Sequence, residues 1–251
     1  MTILCIESST SVCSAAICKD GEPIKQCISY EGSNHARLLP RYIEELLSFA
    51  REQGLSIEAV ALSEGPGSYT GLRIGASTAK GLCYGLNIPL IPVPTLDILC
   101  EAAKAKVESQ ESRVKSQEAI LVPMIDARRM EVYTKVDGET KAVVVENEES
   151  VLRQQAQPAV CAPSAEGGLA AERSYYFFGD GAEKCAKIFT KPNWHFIPGI
   201  VPEAQFMGAL AEKIINHKSQ ITNHKSTDLA YYEPFYLKEF IAAPSHVKGL
   251  N

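Results

Sequence analysis

Several features that mark common classes of protein are missing from this sequence. Its 8 cysteines include no C-x-x-C pair, so neither a zinc site nor a disulfide scaffold is indicated. No apolar run approaches the length of about 20 residues that a membrane-spanning helix needs. The first residues also lack the basic segment of a secretory signal. We therefore expect a cytoplasmic protein without membrane contact, whose cysteines are reduced and buried.

An excess of positive charge is also missing. The chain has 25 Lys and Arg against 30 Asp and Glu, which gives a net charge of -5. A protein that binds nucleic acid on its own usually has a strong basic excess or a basic stripe, and neither is present. Any contact with RNA is therefore expected to be made together with another protein.

The sequence does contain an internal repeat, in which one series of elements occurs twice. Each copy begins with an apolar strand that ends in a carboxylate, Glu7 in the first and Asp126 in the second. A polar turn and two strands joined by Asp-Gly follow, and later a strand, a glycine loop and a helix. The glycine loops are GPGS (65–68) and GDGA (179–182). The repeat predicts two tandem α/β domains with mixed sheets flanked by helices.

The first domain is predicted to span residues 1–106 and the second 107–251, and whether the C-terminal helix packs back on the first domain is left open. Three polar or Gly/Ala-rich segments, at 108–118, 162–174 and 216–226, are interpreted as insertions at surface loops or helix ends.

Two apolar helices of the first copy are the predicted surface for a partner. The first has more apolar positions than one stripe needs, and the second has small residues four apart, which permit the close approach of another element. The alternative is that the small residues pack within their own domain. The predicted interface residues are Leu38, Leu39, Tyr42, Ile43, Leu46, Leu47, Gly71, Leu72, Gly75, Ala76, Ala79 and Cys83.

The glycine loop GPGSYTGLR could also bind an anion, because free N–H groups at a helix start attract negative charge. However, no Walker lysine follows the loop. The weak candidates for an anion site are Ser8, Ser9, Thr10, Gly67 and Ser68.

Two charged residues near this loop carry further expectations. The side chain of Glu7 is longer than that of an aspartate and is expected to shift the carboxylate outward. Arg73 lies in the first turns of its helix, where the helix dipole disfavours a cation. It is expected to have an acidic partner or a neighbouring carboxylate such as Glu64.

Five motifs, CIESST, SNHARLLP, GPGSYTGLRIG, IDARRMEVY and GDGA, resemble the TsaB (YeaZ) family in order and spacing. The resemblance implies two actin-like (ASKHA, ribonuclease-H-like) domains and a role in making threonylcarbamoyladenosine in tRNA. It further implies a non-catalytic subunit that pairs with a TsaD-like catalytic subunit, works with a TsaE-like ATPase and meets tRNA through the complex. We add the expectation of a homodimer when that partner is absent.

The catalytic relatives in this resemblance carry His-x-x-x-His on the first helix, a spacing that lets two ligands share a cation. Here His35 is followed by Leu39 at the partner position. No metal site and no catalytic residue are therefore predicted, and His35 is expected at the surface. No cofactor is expected in the isolated chain, with ATP or ADP bound only at the level of the complex. The rival hypotheses are an independent ASKHA-type ATPase or phosphotransferase, and a metallopeptidase.

Overall fold

Two five-stranded sheets organise the chain. The computed structural model describes residues 1–32, 34–109, 119–136, 138–146, 149–152, 174–220 and 229–238. The strands of the first sheet are β1 (Thr2–Glu7), β2 (Cys13–Lys19), β3 (Glu22–Ser29), β4 (Ala59–Gly65) and β5 (Leu90–Pro94). Their order across the sheet is β3-β2-β1-β4-β5, with β1 antiparallel to β2 and parallel to β4. Every residue of β1 is buried, as a central strand covered on both faces requires.

The second sheet repeats this arrangement. Its strands are β6 (Ala119–Asp126), β7 (Glu131–Val136), β8 (Glu139–Val144), β9 (Ser174–Phe178) and β10 (Trp194–Ile197). They lie in the order β8-β7-β6-β9-β10, and β6 is antiparallel to β7 and parallel to β9. Each strand therefore has its counterpart five strands earlier. The predicted duplicated α/β fold with mixed sheets is confirmed.

Helices cover both faces of the first sheet. The helices are α1 (His35–Glu52), α2 (Tyr69–Leu86), α3 (Thr95–Ser109), α4 (Glu149–Leu152), α5 (Asp180–Cys185) and α6 (Gly208–Gln220). One face packs against α1 and α2 through an apolar core, and the other packs against α6 and the short 3-10 turn before it. Pro40 lies within α1. The predicted domain boundary between residues 106 and 107 falls in the last turn of α3.

A C-terminal segment, residues 229–238, runs from the first repeat to the second. Tyr232 belongs to the core beneath α1 and α2, and the backbone N–H of Phe235 donates to the carbonyl of Glu64 at 2.7 Å. Three residues later, Lys238 contacts the Glu131 carboxylate and donates to the carbonyl of Ala127 at 3.3 Å. The segment therefore joins the ends of β4 and β6 through direct contacts.

The cysteine prediction is confirmed for the seven cysteines that the structure describes, all of which are free and buried. Cys161 lies outside the described residues, as do most of the three predicted insertions. The first NHKS of the third insertion forms the end of α6, in agreement with the predicted helix end. Among the described residues, no helix combines the length and apolarity needed to cross a bilayer.

Candidate functional site

The glycine loop before α2 packs directly on the turn that follows β1. A Cβ atom on Gly67 would lie 2.2 Å from the Ser9 carbonyl oxygen, and one on Gly71 would lie 2.0 Å from the Ser8 carbonyl oxygen. A Cβ atom on Gly75 would lie 2.3 Å from the Ser8 hydroxyl oxygen. No side chain fits at such distances. The three glycines therefore permit the close contact of loop, helix and turn.

The predicted anion-site residues use their polar groups within the chain. Ser8, Ser9 and Thr10 are buried, and Gly67 and Ser68 lie in the loop that covers them. Two hydrogen bonds join the turn to the loop and helix: the Ser8 hydroxyl donates to the Gly71 carbonyl at 2.9 Å, and the Ser68 N–H donates to the Ser9 carbonyl at 2.6 Å. The Ser68 hydroxyl accepts from the Gly71 N–H at 3.3 Å. The Thr10 hydroxyl accepts from the Val12 N–H at 3.3 Å. These contacts disfavour a phosphate at this turn, and the anion site stays a prediction.

The Glu7 side chain turns inward, so the expectation of an outward carboxylate is wrong. Glu7 is completely buried, and its Oε1 accepts hydrogen bonds from the Ser9 N–H at 2.6 Å and the Ser9 hydroxyl at 2.5 Å. Its Oε2 has no hydrogen-bond partner among the described residues. Burial raises the pKa of Glu7 to about 7, against the opposing hydrogen bonds from Ser9. A carboxylate in this position is suited to a structural role rather than to holding a hydrated cation.

The second repeat builds the equivalent contact from different side chains. A Cβ atom on Gly179 would lie 2.2 Å from the Met124 carbonyl oxygen, which again brings the loop against the strand end. The Asp126 N–H donates to the Asp180 carboxylate at 2.9 Å, and Lys184 forms an ion pair with Asp126. Burial raises the pKa of Asp180. The counterpart of Glu7 is therefore a half-exposed, paired aspartate.

Arg128 and Arg129, in the turn after β6, are exposed and adopt left-handed backbone angles, with φ of 67° and 52°. The Arg128 N–H donates to the Asp126 carboxylate at 2.8 Å, which fixes the turn.

His35 is buried, which corrects the expectation of a surface histidine. Its Nε2 lies 3.2 Å from the Val12 carbonyl oxygen, so the ring fastens the start of α1 to the segment before β2. In the part of the chain that the structure describes, no three His, Cys, Asp or Glu side chains come close enough to bind one metal ion. The metal prediction itself is untested.

Most of the predicted partner interface lies inside the chain. The small residues of α2 form a buried ridge, Gly71, Gly75, Ala79 and Cys83, which faces the first sheet. Leu72 and Ala76 are buried beside this ridge. The alternative considered from the sequence, packing within the domain, is therefore correct for this set.

The predicted interface residues of α1 also include buried positions. Leu39, Ile43 and Leu46 are buried against the first sheet, whereas Leu38, Tyr42 and Leu47 are only half-buried and reach solvent. Only the last three can contribute to an outer surface. A helical period identifies an apolar face, but this helix needs that face for its own core.

Sequence reasoning missed a second ridge of α2, which faces solvent. It consists of four exposed residues spaced four apart: Arg73, Ser77, Gly81 and Gly85. A Cβ atom on Gly81 or Gly85 would meet nothing within 4 Å. Beside this exposed ridge, Tyr84 is 86% exposed. The same four-residue spacing that revealed the buried ridge would have revealed this one.

A comparison with protein families identifies the chain. The family model described as TsaD, tRNA N6-adenosine threonylcarbamoyltransferase, matches residues 30–242. The chain belongs to this family. Over nearly its whole length, the chain resembles a TsaB protein. It is 28% identical to the TsaB protein of Haemophilus influenzae over 238 residues, which are 95% of this chain and 94% of that one.

Shorter matches connect it to both branches of the family. It is 35% identical to the TsaB protein of Escherichia coli over 133 residues, 53% of each chain. It is 33% identical to a tRNA N6-adenosine threonylcarbamoyltransferase of Geobacter sp. over 109 residues, 37% of this chain and 32% of that one.

Among solved structures, YeaZ from Pseudomonas aeruginosa matches with a TM-score of 0.66 and 22% identity, covering 94% of this chain and 99% of that one. This match shows the fold, and the two repeated sheets fit an ASKHA-like fold. The predicted TsaB (YeaZ) resemblance is confirmed.

Proposed function

We propose that this chain is a non-catalytic scaffold or activator subunit in the biosynthesis of threonylcarbamoyladenosine in tRNA, and that it binds a TsaD-like catalytic subunit. The likeness to TsaB proteins, which are named for this biosynthesis, supports the pathway, since one match covers 95% of this chain and a second covers 53%. The observation that carries the binding role is the exposed ridge of α2, Arg73, Ser77, Gly81 and Gly85, with Tyr84 beside it.

The two glycines of this ridge have no packing reason within the described part of the chain. A glycine inside a helix costs about 1 kcal/mol relative to alanine. On the buried ridge, close contact with the turn after β1 accounts for that cost, but Gly81 and Gly85 have open space above them. Small residues on a helix surface allow another helix to approach closely. A helix of the partner, packed on the exposed ridge with Tyr84 as an anchor, would offset their cost.

The proposed absence of catalysis has a physical basis in the first repeat. The polar turn after β1 is engaged by the glycine loop, Glu7 is directed into the core, and His35 contacts a backbone carbonyl. These contacts favour a protein that binds no nucleotide by itself over an independent ATPase or phosphotransferase. ATP or ADP would then bind only in the assembled complex. We propose that the contacts with a TsaE-like ATPase and with tRNA are likewise made only in that complex.

The isolated chain is proposed to form a homodimer in the cytoplasm through the same surface. An exposed tyrosine and a smooth ridge on one helix suit a second copy of that helix, so the homodimer and the complex with the catalytic subunit would exclude each other.

The test uses two substitutions on the exposed ridge and its edge, Tyr84→Asp and Gly81→Arg. Binding to the TsaD-like catalytic subunit from the same genome is measured by calorimetry. Each variant is expected to bind at least about 30-fold more weakly, as for a hot-spot residue worth about 2 kcal/mol. Val144→Asp is the matched control, because Val144 is apolar, 53% exposed and on the second sheet.

Reconstitution gives the functional measurement. The catalytic subunit, tRNA, threonine, bicarbonate and ATP are combined with and without this chain, and modification of the tRNA is expected to depend on it. A wild-type chain that neither binds nor stimulates the catalytic subunit would refute the proposed function. Unchanged binding by both ridge variants would refute the proposed surface alone.

A further inference from the structure

A groove lies beside the exposed ridge, between α2 and the C-terminal segment 229–238. Its volume is about 410 Å³, and its lining includes Tyr69, Arg73, Lys80, Tyr232, Glu233 and Tyr236. We call it the tyrosine groove. Because Arg73 and Ser77 line the groove and also belong to the exposed ridge, the groove is continuous with the proposed partner surface.

The walls of the groove are ordered by specific contacts. Lys80 Nζ donates to the carbonyls of Ala230 at 3.0 Å and Tyr232 at 3.2 Å, which fastens the C-terminal segment to α2. The rings of Tyr69 and Tyr236 lie 5.0 Å apart, one from each wall. The groove is therefore shaped before any partner arrives, so little conformational entropy is lost on binding.

Arg73 is the cation at the mouth of this groove. Its guanidinium lies 5.4 Å from the centre of the Tyr69 ring, and Nη1 donates to the Tyr69 hydroxyl at 3.4 Å. Arg73 forms no ion pair with any residue that the structure describes. The expected pairing with Glu64 is therefore not formed, and the other alternative from the sequence, an acidic partner, stays a prediction. The guanidinium is exposed and has further N–H donors for an incoming acceptor.

The charges around the groove favour an anion. Among the residues that line the groove, Arg73 and Lys80 contribute two positive charges against the carboxylate of Glu233, while the charge of Glu64 acts on Tyr232 from outside the lining. The start of α2 adds the positive end of its dipole. A planar carboxylate matches the two parallel N–H groups of a guanidinium, and tyrosine rings on both sides reduce access of water to such a pair.

We propose that the tyrosine groove receives an acidic side chain, Asp or Glu, of the catalytic partner subunit, and that this carboxylate pairs with Arg73. The inference rests on the proposed function and deepens it, because it names the polar contact that fixes the register of the two helices on the exposed ridge. The glycines allow close approach, and the Arg73 pair selects one alignment along the ridge.

The test measures the affinity of the full chain for the TsaD-like catalytic subunit at several salt concentrations. Arg73→Gln is expected to weaken binding about ten-fold at low salt and to reduce the dependence of the dissociation constant on salt, since one charge pair is lost. Arg73→Glu is expected to weaken binding further. A Glu→Lys or Asp→Lys substitution in the facing helix of the catalytic subunit is expected to restore binding to Arg73→Glu. Lys187→Gln, which removes an exposed charge on the second repeat, serves as the control.

Each outcome decides between the two proposals. No binding by the wild-type chain refutes both. If the wild-type chain binds and Arg73→Gln binds with the same affinity at every salt concentration, the carboxylate pair is refuted and the proposed function is not affected. Unchanged subunit affinity together with weaker binding of ATP or tRNA by Arg73→Gln would instead assign the groove to a phosphate.

Discussion

Glu7 makes stability depend on pH in a direction that can be worked out from its surroundings. The carboxyl is completely buried, with both hydrogen bonds to one oxygen and none to the other among the described residues. Burial raises its pKa from 4.5 to about 7. The folded protein therefore binds this proton more tightly than the unfolded chain does. The free energy of unfolding falls as the pH rises from about 4.5 to about 7, and the full loss is present above about pH 7.

The size of the effect follows from the pKa difference. A rise of about 2.5, at about 1.4 kcal/mol for each pKa unit, amounts to about 3 kcal/mol. Glu7→Gln retains the shape of the protonated acid but has no charge to bury. The variant is therefore expected to gain about 3 kcal/mol in unfolding free energy, relative to the wild-type chain, between pH 4.5 and pH 8. Any difference that the amide itself introduces is independent of pH and drops out of this comparison.

The measurement is urea-induced unfolding followed by circular dichroism at several values between pH 4.5 and pH 8. Glu44→Gln, on the exposed side of α1, is the control and is expected to show no comparable pH-dependent gain. A carbon-13 titration of the labelled Glu7 carboxyl would measure its pKa directly. A constant difference between Glu7→Gln and the wild-type chain across this range would refute the reasoning.

Two further predictions concern packing around α2. Gly71→Ala would place a Cβ atom 2.0 Å from the Ser8 carbonyl oxygen and is expected to lower the unfolding free energy by about 2 kcal/mol or more. Gly81→Ala, which has open space around the new Cβ atom, is expected to raise the unfolding free energy by about 1 kcal/mol. Equal changes for the two variants in chemical denaturation would contradict the description of one buried and one exposed ridge. Lys80→Met removes two hydrogen bonds to residues 229–238 and is expected to make their amides exchange roughly five-fold faster, a loss of about 1 kcal/mol, by mass spectrometry. Unchanged exchange would show that Lys80 does not hold the segment.

Local patterns predicted the elements of this fold well, because each depends on short-range chemistry. Alternating apolar strands, Asp-Gly turns and the glycine loops appear in both copies of the repeat, and the two sheets confirm that copies with the same pattern adopt the same topology. The role of the glycines in close packing was also predictable, since no other residue permits such approach.

The direction of a side chain was not predictable in the same way. Leu46 and Ala79 were assigned to a partner surface because they lie on apolar or small-residue faces, but both are completely buried in the chain. A charged substitution at either would disrupt the core instead of testing an interface. The long side chain of Glu7 was expected to carry its carboxylate outward, and His35 was expected at the surface. Both are buried, because Ser9 donates hydrogen bonds to Glu7 and the His35 ring lies against the Val12 carbonyl.

The sequence by itself determined the class of fold, its duplication, the free cysteines and the family, since all of these follow from the order and spacing of residue types. The tertiary structure alone decided which ridge of α2 faces the sheet and which faces solvent, because a period of four residues recurs on every side of a helix. It alone brought the C-terminal segment beside α2, more than 140 residues away along the chain, as the contact of Lys80 with Ala230 shows. The tyrosine groove exists only because α2 and this segment meet, and no local pattern encodes the meeting of two such distant segments.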